Sequence, residues 1–129
     1  MQLKFMSINV SDQKKALAFY TEILGFKKMA DFSNGDYRWL TVVSPDGIEG
    51  VELLLESLAF PPAKVYQKAR FEAGIPATTL TTKDIKADFD RLAKNGVKFH
   101  REPINHGPTT SAVFEDTCGN LIHLVQYNS

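Results

Sequence analysis

Apolar residues in the first part of the chain follow two different periods in turn. The stretch LKFMSINV alternates and is rich in strand formers, whereas SDQKKALAFYTEILGF carries an apolar stripe at helical spacing. Ser11 is suited to cap this helix, Asp12 to its positive end, and Gly25 to the position just past its end. Three strand candidates follow, FKKMADF, YRWLTVV and GVELLLE, separated by turn-forming segments. The pattern predicts a βαβββ unit over residues 1–57.

The second half of the chain repeats this order. IPATTLTT is typical of a strand, a second apolar helical stripe ends at Gly96, and VKFHREP, TSAVFED and NLIHLVQY are three more strand candidates. The helical stripe consists of Ile85, Phe89, Leu92 and Ala93. Asp12 and Asp84 stand at the heads of corresponding helices. The sequence therefore predicts a single α+β domain of two βαβββ repeats, 1–57 and 75–129, joined by a connector over 58–74 with a short helix behind a proline pair.

Composition and charge narrow the function only by exclusion. Fifteen basic residues balance fifteen acidic ones, so no overall field attracts nucleic acid or an anionic membrane. The N-terminus has no signal-peptide pattern and no apolar run approaches membrane-spanning length. Cys118 is the single cysteine, which leaves no disulfide or CxxC site within one chain. We expect a cytoplasmic protein with no nucleic-acid or membrane partner.

Several segments together resemble the vicinal oxygen chelate superfamily, which includes glyoxalase I, bleomycin-resistance proteins and extradiol dioxygenases. They are INVSDQKKALAFYTEILGF, GVELL at the end of the first repeat, the second helix, and FEDTCGNLIHL, which is similar to the closing Asp-Pro-Asp-Gly-Asn strand of that group. The resemblance implies two curved mixed sheets that form an open trough. It does not select one function, because the group contains isomerases, lyases, dioxygenases and binding proteins.

The resemblance also places four metal-ligand positions in the trough. They fall on Phe5, Glu52, Ala77 and His123, and only two of these carry a side chain that coordinates a metal. A catalytic zinc normally has three protein ligands, and non-haem iron has two histidines and a carboxylate. We therefore expect no cofactor. The alternative is a divalent metal, Zn, Ni, Mn or Fe, held by Glu52 and His123.

An apolar trough with a few polar anchors is typical of a small-molecule pocket. Strand parity puts Ser7 and Asn9 with Phe5, and Thr79 with Ala77, although it leaves the facing of Trp39 open. The residues expected to line the trough are Phe5, Ser7, Asn9, Trp39, Glu52, Ala77, Thr79, His123 and Tyr127. The principal hypothesis is a metal-free, non-enzymatic protein of the bleomycin-resistance type that binds a small, partly aromatic molecule as a homodimer.

Three uses remain open for Glu52 and His123, which the alternation turns toward the trough. They could form a structural hydrogen bond, orient a ligand, or serve as a general base with its orienting partner. A metal-dependent lyase, isomerase or dioxygenase with Glu52 and His123 as metal ligands is one alternative to the principal hypothesis, and a scaffold without any small-molecule role is a further alternative. Glu56 and Arg38 are expected to pair at the sheet edge, and His100 to be a solvated strand residue.

Overall fold

The computed structural model describes residues 1–129 and divides into two compact units, Met1–Tyr66 and Gln67–Ser129. Each unit contains a four-stranded mixed sheet. The elements of the first unit are β1 (Phe5–Val10), α1 (Gln13–Ala18), a π-helical segment (Phe19–Ile23), β2 (Lys27–Asn34), β3 (Tyr37–Val43) and β4 (Glu52–Ser57). Helix α2 (Pro61–Glu72) follows and crosses the division between the units.

The second unit repeats the topology of the first. Its elements are β5 (Thr78–Thr81), α3 (Ile85–Lys94), β6 (Phe99–Asn105), β7 (Thr109–Glu115) and β8 (Leu121–Tyr127). The strand order is β1-β4-β3-β2 in one sheet and β5-β8-β7-β6 in the other, and in each the first pair is parallel and the others antiparallel. The predicted α+β fold of two βαβββ repeats is confirmed.

One face of each sheet is buried, and alternation along the strands decides which residues it contains. In the first unit α1 contacts β4. The buried face of this sheet carries Ile8, Val10, Leu40, Val42 and Leu55. In the second unit the face toward α3 carries Ala112, Phe114, Ile122 and Leu124. Because side chains alternate across a strand, the intervening residues lie on the opposite face of each sheet. We call this opposite face the open face.

Aspartate caps both repeat helices. The Asp12 carboxylate accepts a hydrogen bond from the Lys15 backbone N–H (3.1 Å), and Asp84 accepts one from the Ala87 N–H (3.0 Å). The expectation that Ser11 caps the first helix is wrong, because Asp12 is the last extended residue before the helix and so holds the N-cap position. Gln13 then joins the helix to its sheet by donating to the carbonyl oxygens of Arg38 and Leu55.

The expected pair between Glu56 and Arg38 is also wrong. Arg38 instead makes a two-pronged contact with Asp31, with its Nε and Nη2 atoms 2.9 and 2.8 Å from the two carboxylate oxygens. Both residues lie on the paired strands β2 and β3, where the planar guanidinium matches the carboxylate. The hydrogen bond from Arg38 holds the pKa of Asp31 below its ordinary value.

The connector contains the helix that the sequence predicts behind the proline pair. Pro61 and Pro62 open α2, where proline is tolerated because the first N–H groups of a helix have no partner within it. The helix leaves Val65 and Tyr66 largely exposed. None of the helices has the length and apolar character needed to cross a membrane.

Candidate functional site

Three aromatic rings lie together on the open face of the first sheet. Trp39 contacts Phe5 edge-on, with ring centroids 5.1 Å apart, and stacks nearly parallel to Phe32 at 6.3 Å. Phe5 is 42% and Phe32 is 62% exposed, whereas aromatic rings in a core are covered by other side chains. We call Phe5, Phe32 and Trp39 the aromatic face.

The strand register explains how this cluster forms and why the sequence only half revealed it. Trp39 is paired with Phe32 across β2 and β3, and paired residues of a sheet point to the same side. This fixes the facing of Trp39, which its own strand pattern left open. Sequence analysis did not include Phe32, because β2 is exposed on both sides and shows no clean alternation.

Glu52 lies on the same open face beside Phe5, which is its register partner on β1. One carboxylate oxygen accepts a hydrogen bond from the Thr41 hydroxyl at 2.6 Å, and the other lies 3.0 Å from the Lys4 ammonium. Lys4 is held there because its backbone carbonyl accepts from the Glu52 N–H (2.9 Å). The Thr41 and Lys4 hydrogen bonds lower the pKa of Glu52.

This arrangement limits the chemistry of Glu52. A carboxylate that is buried, holds hydrogen bonds on both oxygens and has a lowered pKa is a weak proton acceptor. The contacts within the first unit give Glu52 a structural role, but not the one named from the sequence, which was a hydrogen bond with His123. The partners are Thr41 and Lys4, which sequence analysis did not single out.

A row of mainly polar side chains lies on the open face of the second sheet. Four residues on neighbouring strands are in register and form one row across the sheet: Thr79, His123, Val113 and Arg101. We call this row the histidine face. Arg101 was not predicted, because simple alternation from Phe99, the partner of Phe114, would place His100 opposite Val113. A register shift between Phe99 and Arg101 brings the arginine there instead.

The His123 imidazole is partly buried and only loosely held. Its Nδ1 atom lies 3.4 Å from the Thr79 hydroxyl, and its Nε2 atom has no partner in the chain. Burial, together with the charges of Arg101 and His106, lowers the pKa of His123 below the ordinary 6.5. The ring is therefore neutral at neutral pH, and one nitrogen is free to contact a ligand.

The remaining predicted residues are distributed over both units. Ser7 is exposed, and Asn9 donates from its side chain to the Ser57 carbonyl oxygen (3.3 Å), which joins β1 to β4. Ala77 lies just before β5, where its N–H bonds to the Leu121 carbonyl, so Thr79 and not Ala77 is in register with His123. Tyr127 is 74% exposed and shares the parity of His123.

Two other residues considered in the sequence analysis, His100 and Cys118, are held by the fold. His100 contacts Glu115 at 2.8 Å and the ring of Phe71, so it is paired as well as solvated. Cys118 is fully buried. Across the chain no three side chains of His, Cys, Asp or Glu lie close enough together to share a metal ion.

Comparison with known proteins agrees with this architecture. A sequence model described as the glyoxalase/bleomycin resistance protein/dioxygenase superfamily matches residues 2–124. The uncharacterized protein YurT of Bacillus subtilis is 52% identical over 98% of this chain and 99% of its own. A lactoylglutathione lyase of Salmonella typhimurium is 27% identical over 98% of this chain and 93% of its own.

A solved structure adds a similar protein with a stated function. TnmS3, described as an antibiotic binding protein from Streptomyces sp. CB03234, superposes with a TM-score of 0.79 and 32% sequence identity. The alignment covers 99% of this chain and 97% of TnmS3.

Proposed function

The chain belongs to the glyoxalase/bleomycin resistance protein/dioxygenase superfamily, and from this premise we propose that it binds a small, partly aromatic molecule without a metal ion. The observation that carries the proposal is the aromatic face. Phe5 stands at a position where the resemblance implies a metal ligand, and its ring packs against Trp39 instead. A planar ligand would stack on this partly exposed cluster, and such ring pairs contribute about 0.5–1.5 kcal/mol beyond area burial.

The comparison with TnmS3 supports the same class of function. That protein is described as antibiotic binding, and it shares about a third of its residues with this chain over almost the full length of both. Small-molecule pockets are lined mainly by hydrophobic and aromatic side chains, and the aromatic face offers such side chains. We extend to this chain only the binding of a small ring-containing molecule.

Binding to the aromatic face can be measured through Trp39, the only tryptophan of the chain. We expect the neutral probe 1-naphthamide to change the Trp39 emission in a saturable way. The substitution Phe32→Ala removes the exposed ring that stacks on Trp39, so we expect the affinity to fall about three- to tenfold. Isothermal titration calorimetry on the same variants gives an independent measure of affinity.

The matched control is Phe60→Ala, because Phe60 is 69% exposed, close to the 62% of Phe32, but has no ring contact with the aromatic face. We expect its affinity for 1-naphthamide to equal that of the unsubstituted protein. An emission that does not respond to the probe, or equal losses in the two variants, would contradict the proposal.

The metal-free part of the proposal rests on the donor set. Phe5 and Ala77 offer no donor atoms, and Glu52 already has the Lys4 ammonium as its cation. These residues do not fit a resident metal ion, and the same observation weakens the alternative of a metal-dependent lyase, isomerase or dioxygenase. Stoichiometric zinc, nickel, manganese or iron in protein purified without chelator would count for that alternative, as would loss of the metal in His123→Ala.

We also propose that the chain forms a homodimer. Each sheet ends in two edge strands, β1 and β2 in the first unit and β5 and β6 in the second. Unpaired edges favour association with another strand, and a symmetric pair is the commonest assembly. Sedimentation equilibrium at micromolar concentration is expected to give twice the 14.4 kDa mass of the chain, and a monomer mass would contradict this.

A further inference from the structure

The histidine face combines a cation and a free ring nitrogen in one row. Neighbouring strands lie about 4.8 Å apart, so the Cα atoms of His123 and Arg101, separated by one strand, are about 10 Å apart. The residue between them is Val113, which is buried and whose short side chain does not extend far above the sheet. The long Arg101 side chain is therefore able to reach over it toward the imidazole.

The Arg101 side chain has no hydrogen-bond or ion-pair partner in the chain. Its guanidinium makes no ion pair and no side-chain hydrogen bond, although arginine at other positions, such as Arg38, is paired. The carboxylate of β7 on the open face, Glu115, is already engaged by His100 at 2.8 Å and by Lys98 at 3.5 Å. The row thus presents an uncompensated positive charge.

The charges that act on His123 also show an excess of positive charge on the histidine face. Arg101 and His106 both act on its ring as positive charges, and no carboxylate offsets them there. Nε2 is the ring nitrogen without a partner, and it carries a proton whenever the Thr79 hydroxyl donates to Nδ1. A ligand would find a guanidinium and an N–H donor on the same side of the sheet.

We propose that the histidine face binds a carboxylate group of an aromatic ligand, with Arg101 supplying the charge and His123 the second hydrogen bond. Guanidinium and carboxylate match each other in geometry, and charge-assisted hydrogen bonds are roughly twice as strong as neutral ones. Tyr127 lies exposed on the same face of β8, four residues along the strand from His123, and adds an aromatic ring to that face. This inference rests on the proposed function, since it adds a carboxylate group to the small, partly aromatic molecule proposed there as the ligand.

The test compares 1-naphthoate with neutral 1-naphthamide, two probes that differ in charge and share the ring system. We expect 1-naphthoate to shift the proton resonances of the His123 ring and to bind about tenfold more tightly than the amide. Arg101→Gln is expected to remove this preference and leave the amide affinity unchanged. Added salt is expected to reduce the preference, because the pair is partly exposed.

The control variant is Lys94→Gln, which removes one positive charge from the second unit at the end of α3, away from the row. We expect it to keep the preference for 1-naphthoate. Equal affinity for both probes, an unmoved His123 resonance, or equal losses in Arg101→Gln and Lys94→Gln would overturn the inference. If Trp39 emission still responds to 1-naphthamide in those cases, the proposed function stands; if neither Trp39 nor His123 responds to either probe, both fail.

Discussion

Replacement of Asp116 by alanine is expected to lower the free energy of unfolding by about 3 kcal/mol. Asp116 is fully buried in the turn between β7 and β8, where its carboxylate accepts from the N–H groups of Cys118 (2.8 Å) and Asn120 (3.0 Å) and from the Asn120 side chain (2.8 Å). Alanine would leave buried backbone donors without an acceptor. Such orphaned groups cost more than the net strength of the bonds they lose.

The turn is also anchored from α2, which makes the network larger than one residue. Gln67 donates to the Cys118 carbonyl (3.1 Å) and to the Asn120 side-chain oxygen (3.2 Å). Gly119 has a φ of +96°, and a Cβ atom there would lie 2.6 Å from the Gln67 side-chain oxygen. The loss of Asp116 therefore affects the attachment of the turn to the helix as well as its internal bonds.

Urea unfolding followed by circular dichroism measures the Asp116 effect. Asp46→Ala is the control, because Asp46 lies exposed in the corresponding turn of the first unit, and we expect a change of less than about 0.5 kcal/mol there. The interpretation of the Asp116 network would be wrong if the two alanine variants unfolded at the same urea concentration.

Replacement of Glu52 by alanine is expected to cost about 2 kcal/mol, because it removes a buried acceptor from the Thr41 hydroxyl and leaves the Lys4 ammonium unpaired. Glu52→Gln retains an acceptor for Thr41 but loses the charge, so we expect roughly half of that cost. The comparison of the two variants separates the hydrogen bond from the ion pair.

The same carboxylate makes stability depend on acid. The folded protein holds the pKa of Glu52 below the ordinary 4.5, so the unfolded chain binds the proton more tightly. The contribution of Glu52 is therefore complete above pH 4.5 and is lost as the pH falls through the folded-state pKa. Urea unfolding at a series of acidic pH values should show a shallower loss in Glu52→Gln.

Glu56→Gln provides the control for both measurements, since Glu56 lies four residues further along β4 and makes no ion pair. We expect it to keep the stability and the acid dependence of the unsubstituted protein. A Glu52→Gln protein with unchanged acid dependence would show that the Thr41 and Lys4 contacts do not favour the ionised form.

The fold was accessible from the sequence because each element has a local signature that agrees with burial on one face. Alternation in β1 and β8, the helical stripes, and an aspartate before each helix all predict the same βαβββ unit twice. The N-cap was misplaced by one residue because serine and aspartate are adjacent and both favour that position. The π-helical segment Phe19–Ile23 left no recognisable mark, since the apolar spacing there also fits an ordinary helix.

The candidate site was harder to predict because its contacts join residues far apart in the chain. Thr41 and Lys4 reach Glu52 from a different strand and from a segment outside any strand, and alternation says nothing of either. Arg101 depends on a register shift in β6, an edge strand that also contains Pro103, and an extra residue of this kind is not visible in the pattern of apolar positions. Phe32 was missed because an exposed strand lacks a buried side to define its faces.

The contrast between Glu52 and His123 has a consequence for how the protein could diverge. Glu52 stabilises the fold through two partners, so a change there lowers stability. His123 has one loose contact and no role in the core, so substitutions at that position are nearly free of folding constraints. Two corresponding positions of one duplicated chain therefore differ in how freely they can vary: the fold tolerates a change at position 123, whereas a change at position 52 is limited by the stability it costs.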